Sequence, residues 1–286
     1  MKRLIILFSL FTIFTIHCSL FTAVKAAEPP NRIVSLAPSM TEILFALGLE
    51  HNIVGVTNFC DYPEEAKKKP KIGGMSNPSL EAVVSLKPDI VIMTTDGNPK
   101  EFEERLRSLK IKTYVFKERQ LLDLPHGVRN IGLALDVKEK AESVAKEIEE
   151  AVSKYKGQGA RGKGQGKKVL FIIWPEPLIV AGPNTLIDDA INLLGAINIA
   201  KGATASYPKY SIEEIFRQSP DVIIIGKGHE DMRKLSNRLL KRLSSVPAVG
   251  DNKVFYVSDN LYRLGPRVIE GIKELAGYLN EKQSRE

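Results

Sequence analysis

The sequence lacks the features that mark several common classes of protein. Its 286 residues include only two cysteines, and its four histidines are scattered without the spacing of zinc ligands. It contains no G-x-S-x-G elbow, no C-x-x-C pair and no H-E-x-x-H segment. These absences exclude a disulfide scaffold and argue against a resident metal ion. They also argue against an enzyme, because the sequence contains none of these catalytic motifs.

The amino-terminal segment predicts export. A basic start at Lys2 and Arg3 precedes an apolar run over residues 4–21, and Val24-Lys25-Ala26 is a small-residue cleavage signature. We interpret residues 1–26 as a cleaved signal peptide that sends the protein to the periplasm. A membrane anchor and a lipoprotein are the alternatives, but His17 precedes Cys18 where lipid attachment requires a small residue.

The mature chain has little excess charge. Loss of Lys2, Arg3 and Lys25 lowers the formal net charge from +7 to +4, which is too small to indicate nucleic-acid binding. Only Cys60 remains, so no intramolecular disulfide can form. A lone cysteine is more often a packed side chain than a nucleophile.

One long helix is predicted near the middle of the chain. In KEKAESVAKEIEEAVSKYK, residues 138–156, apolar side chains recur at helical spacing on one face, and glutamate and lysine alternate on the other. At 1.5 Å per residue this helix is roughly 28 Å long, enough to connect two globular bodies.

Strands and helices alternate on both sides of this helix. Such alternation predicts an α/β fold of two Rossmann-like lobes, each a parallel-type sheet covered by helices. We place the amino-terminal lobe at 27–122, connecting helices at 123–156, a flexible loop at 157–168 and the carboxyl-terminal lobe at 169–286. Strands are expected at 32–36, 53–57, 90–94, 112–116, 169–173, 178–181, 222–225 and 254–257. Helices are expected at 39–47, 79–86, 100–109, 123–135, 185–194, 211–218, 230–243 and after Pro266.

Ser39 and Glu42 are spaced as a capping box that would open the first of these helices. The loop GQGARGKGQGKK formally contains G-x-G-x-x-G and most of a Walker pattern. It follows a helix and precedes a strand, which is the reverse of the order that a phosphate cradle needs, so we treat both matches as accidental.

The two halves also repeat at the level of residues. SLEAVVSLKPDIVIM, residues 79–93, aligns without a gap to SIEEIFRQSPDVIII, residues 211–225, at an offset of 132. The alignment pairs Ser79 with Ser211 and Glu81 with Glu213. A Ser cap, an early Glu and a Pro-Asp turn suit any helix–turn–strand unit, so local chemistry alone could explain the match.

With RIVSLAPSMTEILFALGL at 32–49, CDYPEEA at 60–66 and SDNLYRLGPR at 258–267, these segments resemble the substrate-binding components of ABC importers. The similarity is to the class whose two lobes are joined by one long rigid helix, and within it to the cobalamin-binding branch. The resemblance implies periplasmic capture of a corrinoid, without catalysis or a catalytic cofactor. It also implies delivery to a permease dimer driven by a cytoplasmic ATPase, with a binding protein that is monomeric when free.

The expected ligand site lies on loops after the strands, because ligands of parallel α/β lobes sit beyond the carboxyl ends of the strands. Tyr62 matches an aromatic wall of the family, and Trp174 opens the equivalent loop of the second lobe. Arg263, in the last strand-to-helix loop, could bind a carboxylate, phosphate or amide oxygen. Weaker candidates on these loops are Asn58, Met75, Thr95, Asp96, Tyr207, Tyr210 and Asn260.

Glu81 and Glu213 match acidic residues that, in this family, contact basic residues of a two-fold symmetric permease. Stabilisation of a helix start is the alternative role for both.

Three alternatives remain open. Mixed charge on the loops favours a corrinoid over an anionic ferric siderophore or haem, which stay as the second choice. An exported α/β enzyme is the rival class. A ligand sensor that signals to a membrane receptor would share the fold.

Overall fold

The computed structural model describes residues 30–156, 166–228 and 231–280. The predicted signal peptide, Cys18 and most of the glycine-rich loop lie outside the described residues. Within those ranges, no helix combines the length and apolarity needed to cross a membrane.

The first half forms a four-stranded parallel sheet in the order β2-β1-β3-β4. Its strands are β1 Ile33–Ser35, β2 Ile53–Val56, β3 Ile90–Thr94 and β4 Lys112–Phe116. Four helices connect them: α1 Pro38–Ala46, α2 Glu64–Lys67, α3 Leu80–Ser85 and α4 Lys100–Ser108.

The second half forms a sheet in the order β6-β5-β8-β9, and a two-residue strand, β7, also pairs with β5. All of these pairs are parallel except β5 with β6. The strands are β5 Lys168–Pro175, β6 Leu178–Val180, β7 Ile197–Asn198, β8 Val222–Gly226 and β9 Val254–Val257. The helices, numbered after the two that connect the halves, are α7 Leu186–Leu193, α8 Ile212–Gln218, α9 Met232–Arg242, α10 Pro247–Gly250 and α11 Val268–Asn280.

Two helices join the halves. A 3₁₀ turn, Leu121–Asp123, leads into α5 Leu124–Ala134, which packs against α6 Lys138–Tyr155. The two helices approach closely at Gly132, where a Cβ atom would lie 2.1 Å from the Cβ atom of Ala141. A side chain at this position would therefore separate them.

Each sheet is buried on both faces, as parallel sheets require. In β8, for example, Val222 and Ile224 pack into one hydrophobic cluster while Ile223 and Ile225 pack into another. The largest cluster continues from the first half into the second and includes the apolar face of α6. One continuous core therefore underlies both lobes and the helix between them.

The predicted two-lobed α/β fold and most of its elements are confirmed. The predicted capping box is wrong: α1 begins at Pro38, its cap residue is Ala37, and no side chain caps it. Proline has its φ angle preset for the first helical position, so the helix starts at Pro38 and Ser39 lies inside its first turn. Glu42 is instead buried in α1 and binds arginines of the other lobe. Short elements escaped prediction: α2, α10, β7 and the 3₁₀ turns Leu121–Asp123 and Asp259–Tyr262.

Candidate functional site

A cleft of about 450 Å³ lies between the lobes, within the range of about 300–1,000 Å³ that is usual for small-molecule sites. It is lined by residues that follow strands of both sheets. Parallel strands present their carboxyl ends at one edge of a sheet, so loops distant in sequence meet there. The lining residues are Pro38, Ser39, Phe59, Met75, Ser76, Thr94, Asp96, Phe116, Glu118, Arg119, Asn184, Thr185, Leu186, Ser206, Tyr207, Tyr262, Arg263 and Leu264.

Asn98 holds the amino-terminal wall of the cleft together. Its side-chain amide donates to the carbonyl oxygens of Leu36 and Met75, both at 2.9 Å, and its side-chain oxygen accepts from the Thr94 N–H at 2.8 Å. Three separate segments are thereby fixed at one edge of the sheet. Gly97, with φ +102°, lies where a Cβ atom would come 2.3 Å from the Met75 Cε atom, so glycine permits this close approach.

Aromatic rings line both walls. Phe59, which is 60% exposed, and Phe116 come from the amino-terminal lobe, and Tyr207 and Tyr262 come from the other lobe. The Tyr262 ring meets the Phe171 ring edge to face at 5.9 Å. Such rings supply apolar contact area together with polar edges.

Gly226, at the end of β8, makes room for Tyr262. A Cβ atom at Gly226 would lie 1.1 Å from the Tyr262 hydroxyl oxygen. Burial raises the pKa of Tyr262, and the charge of Asp259 adds to that effect. Tyr262 is therefore a neutral hydrogen-bonding group at ordinary pH.

The charged groups of the cleft balance one another. Asp96 and Glu118 are acidic, and Arg119 and Arg263 are basic. Arg119 donates to the Thr95 hydroxyl and carbonyl oxygens, both at 3.3 Å. Burial raises the pKa of Tyr207, and the charge of Asp96 raises it further.

At one end of the cleft, four charged side chains join the lobes. Arg263 donates to Asp61 through Nη1 at 2.6 Å and Nη2 at 3.3 Å, and its Nη1 also contacts Glu42 at 3.2 Å. Arg267 donates to the same Glu42 oxygen at 2.8 Å, and its guanidinium lies 3.9 Å from the centre of the Tyr62 ring. We call Glu42, Asp61, Arg263 and Arg267 the cross-lobe network.

The network is largely shielded from water. The Glu42 side chain is 2% exposed and those of Arg263 and Arg267 are 16% and 17% exposed, whereas Asp61 is 54% exposed. Burial opposes ionisation of Asp61, but the hydrogen bond and charge of Arg263 outweigh it and lower the pKa of Asp61. Burial likewise opposes the charge of Arg263, but the hydrogen bonds and charges of Asp61 and Glu42 outweigh it and raise the pKa of Arg263. The four groups therefore form three ion-pair contacts, and their formal charges sum to zero.

The structure brings some of the sequence candidates together and separates others. Met75, Asp96, Tyr207 and Arg263 line the cleft, and Tyr62 and Thr95 lie beside it in contact with arginines. The others lie off its lining: Asn58, Trp174, Tyr210 and Asn260.

Each of these four has a local contact. Trp174 packs on the second-lobe core and donates to the Glu176 carbonyl oxygen at 2.8 Å. Tyr210 donates to the Ile199 carbonyl oxygen at 3.1 Å, and Asn260 donates to Glu270 at 3.0 Å. Asn58 is exposed, and its backbone N–H donates to Gly73.

Sequence reasoning missed several cleft residues that lie beside predicted ones. Phe116 ends a correctly predicted strand, and Glu118 and Arg119 lie in the loop that follows it. The rule that ligands sit beyond strand ends could have found them. Glu42 and Arg267 carry no such signal, because they meet only in the folded chain.

Glu81 and Glu213 occupy equivalent positions in the two lobes. Both are exposed in the first turn of a helix, α3 or α8, that is capped by Ser79 or Ser211. Neither forms an ion pair within the described part of the chain. No cluster of three or more potential metal ligands occurs in residues 30–156, 166–228 and 231–280.

Most of the chain is similar to known binding proteins. It is 27% identical over 250 residues to the vitamin B12-binding protein of Pectobacterium carotovorum, covering 87% of this chain and 88% of that one. It is 31% identical over 261 residues to an uncharacterized ABC transporter substrate-binding lipoprotein of Bacillus subtilis, covering 88% and 81%. The apo structure of a periplasmic haem-binding protein from Roseiflexus sp. RS-1 superposes with a TM-score of 0.80 at 28% identity, covering 87% and 98%.

The family model described as periplasmic binding protein matches residues 33–261. That segment includes both sheets and every lining residue of the cleft except the three that follow Leu261. The fold, the cleft between the lobes and this match agree, and the chain belongs to the periplasmic binding protein family.

Proposed function

We propose that this protein captures a cobalamin-type corrinoid in the periplasm and delivers it to the permease of an ABC importer. The observation that carries the proposal is the cleft between the lobes, which combines aromatic walls with charges that cancel. A corrinoid is a large ring that carries many neutral amides. Aromatic area and scattered polar groups suit such a ligand.

The charge balance favours a corrinoid over an anionic ligand. Haem and anionic ferric siderophores carry negative charge and would be held by an excess of basic groups. The lining has two acidic and two basic side chains, and Asp61 and Glu42 already pair with Arg263. The curated relative from Pectobacterium carotovorum is named for vitamin B12, which supports the same choice.

Haem is the second candidate ligand. The specific observation in its favour is the superposition on the haem-binding protein of Roseiflexus sp. RS-1. Two aromatic walls could enclose a porphyrin as well as a corrin ring.

In this proposal the protein binds and releases its ligand without chemistry. Both lobes dock on a two-fold symmetric permease dimer, with Glu81 on one lobe and Glu213 on the other, and a cytoplasmic ATPase supplies the energy. The helix α6 keeps the lobes at a nearly constant distance, so closure on binding is small. The continuous core beneath both lobes supports this point.

Calorimetric titration of the mature protein tests the ligand. The titrants are cobalamin, cobinamide, haem and a panel of ferric siderophores. Tight one-to-one binding of corrinoids alone is the expected result. Heat from haem or from a siderophore, with none from the corrinoids, would transfer the proposal to the second candidate.

A charge reversal tests docking. Glu81→Lys with Glu213→Lys should impair ligand uptake by cells and leave ligand affinity unchanged, because both residues lie away from the cleft lining. Glu139→Lys, at another exposed glutamate in the first turn of a helix, is the matched control. Weaker ligand binding by the double variant would contradict the docking role.

A further inference from the structure

The cross-lobe network contains two arginines at the edge of a ligand cleft, and both are already neutralised. Arg263 lines the cleft and is held by a two-pronged contact with Asp61. Arg267 shares Glu42 with Arg263. Two guanidinium groups and two carboxylates sum to zero charge.

The carboxylates come from a different lobe than the arginines. Asp61 precedes α2 and Glu42 lies in α1, whereas both arginines lie between β9 and the first turn of α11. The paired residues are separated by 202 to 225 positions in sequence. The pairs therefore form only when the lobes adopt this arrangement.

A guanidinium without such a partner would attract an anion. In a partly desolvated cleft, a charge-assisted contact between arginine and a carboxylate is about twice as strong as a neutral hydrogen bond. Asp61 occupies the face of Arg263 that a ligand carboxylate would otherwise use, and it is exposed enough to be replaced without disturbing the core. Specificity can result from contacts that disfavour the wrong ligand as well as from those that favour the right one.

We propose that Asp61, supported by Glu42, is a specificity-determining residue that makes the cleft reject anionic ligands by occupying Arg263. This inference rests on the proposed function, in that the cleft is the ligand site. It goes further by assigning the discrimination between neutral, amide-bearing ligands and carboxylate-bearing ones to one exposed side chain. Loss of the same side chain would make this cleft bind anionic ligands more tightly.

The test compares two ligands that differ by one charge. Cyanocobalamin and its monocarboxylate, in which one peripheral amide is hydrolysed, are titrated into the wild type, Asp61→Asn and Asp61→Glu. Asp61→Asn should increase the affinity for the monocarboxylate about tenfold and change the affinity for cyanocobalamin by less than about threefold. Asp61→Glu keeps the charge and should restore discrimination.

Glu118→Gln is the matched control inside the cleft. It raises the net charge of the lining by the same amount but lies beside no arginine of the network. It should increase the affinity for the monocarboxylate by less than about threefold, since it leaves the partners of Arg263 in place and the attraction between charges weakens with distance. At about 0.5 M salt the effect of Asp61→Asn should shrink but remain.

Equal gains from Asp61→Asn and Glu118→Gln would overturn the proposal, and so would an unchanged affinity for the monocarboxylate. Haemin, with two carboxylates, keeps the test independent of the corrinoid assignment. If wild type binds no corrinoid but Asp61→Asn binds haemin about tenfold more tightly, the corrinoid function fails and the role of Asp61 stands. If wild type binds cyanocobalamin and Asp61→Asn changes neither anion, the function stands and the role of Asp61 fails.

Discussion

Replacing Glu42 by glutamine should destabilise the association of the lobes. One oxygen of Glu42 accepts from Arg263 at 3.2 Å and from Arg267 at 2.8 Å, while the other has no hydrogen-bond partner among the described residues. Glutamine keeps the shape and one acceptor but removes the charge. The two arginines would then share Asp61 as their remaining counter-ion.

The magnitude follows from these contacts. A hydrogen bond to a charged group contributes about 1.5–3 kcal/mol and a neutral one about 1 kcal/mol, so the two bonds lose about 1–4 kcal/mol together. Breaking a fully buried ion pair costs about 3–5 kcal/mol, and the arginines here retain some exposure. We expect Glu42→Gln to lower the free energy of unfolding by about 2–4 kcal/mol.

Urea denaturation with two probes measures this loss. Far-UV circular dichroism reports both lobes, and fluorescence of Trp174, the single tryptophan, reports the carboxyl-terminal lobe. Both midpoints should move to lower urea, because the lost contact joins the lobes. Glu142→Gln is the matched control: Glu142 also binds an arginine, Arg129, but on the surface of the connecting helices.

Glu142→Gln should move the midpoints much less, since exposed ion pairs contribute little. A loss below about 1 kcal/mol for Glu42→Gln, or one equal to that of Glu142→Gln, would refute the reasoning.

Three further outcomes are expected. Gly226→Ala should lower the free energy of unfolding by about 1–3 kcal/mol and weaken ligand binding, because the added methyl group displaces Tyr262. Gly250→Ala is the control: a Cβ atom there would have nothing within 4 Å, so the loss should be less than about 1 kcal/mol. Equal shifts of the thermal midpoint for the two variants would contradict this. Asn98→Ala should lower the free energy of unfolding by about 2–3 kcal/mol, because it removes three hydrogen bonds, and it should reduce ligand affinity. Thermal unfolding and titration measure the two effects. Unchanged affinity would show that other contacts hold the loops in place. Folding lowers the pKa of Asp61 below 3.8. The wild type should therefore be more stable than Asp61→Asn above about pH 4, and this difference should fade as the pH falls through the lowered pKa. Urea denaturation of both proteins at several pH values measures the difference, and a difference that persisted in acid would contradict the expectation.

Much of the fold could be read from local patterns. Strands β3, β4 and β9 begin and end where the sequence predicts, because each is a short β-rich run between turn residues. The Ser79 and Ser211 caps form as predicted, since both hydroxyls accept from a backbone N–H three residues later. The cap predicted at Ser39 does not form, because the helix starts one residue earlier, at Pro38, so Ser39 lies inside its first turn.

The candidate site was predictable only in part. Met75, Asp96, Tyr207 and Arg263 follow strands and do line the cleft. Trp174 was expected to open a loop, but it lies within β5, which extends to Pro175, and it packs on the second-lobe core, where its indole N–H donates to the Glu176 carbonyl oxygen. The sequence pattern did not show that this strand continues past Ile173, because pairing with β6 extends it.

The sequence by itself determined the α/β class, the internal repeat at an offset of 132 and the long helix between the halves. These depend on periodicity over neighbouring residues, which local backbone geometry enforces. The tertiary structure alone decided that Glu42 and Asp61 neutralise Arg263 and Arg267 across more than 200 positions of sequence. Such pairs carry no local signature, because their partners become neighbours only after both lobes have folded and met.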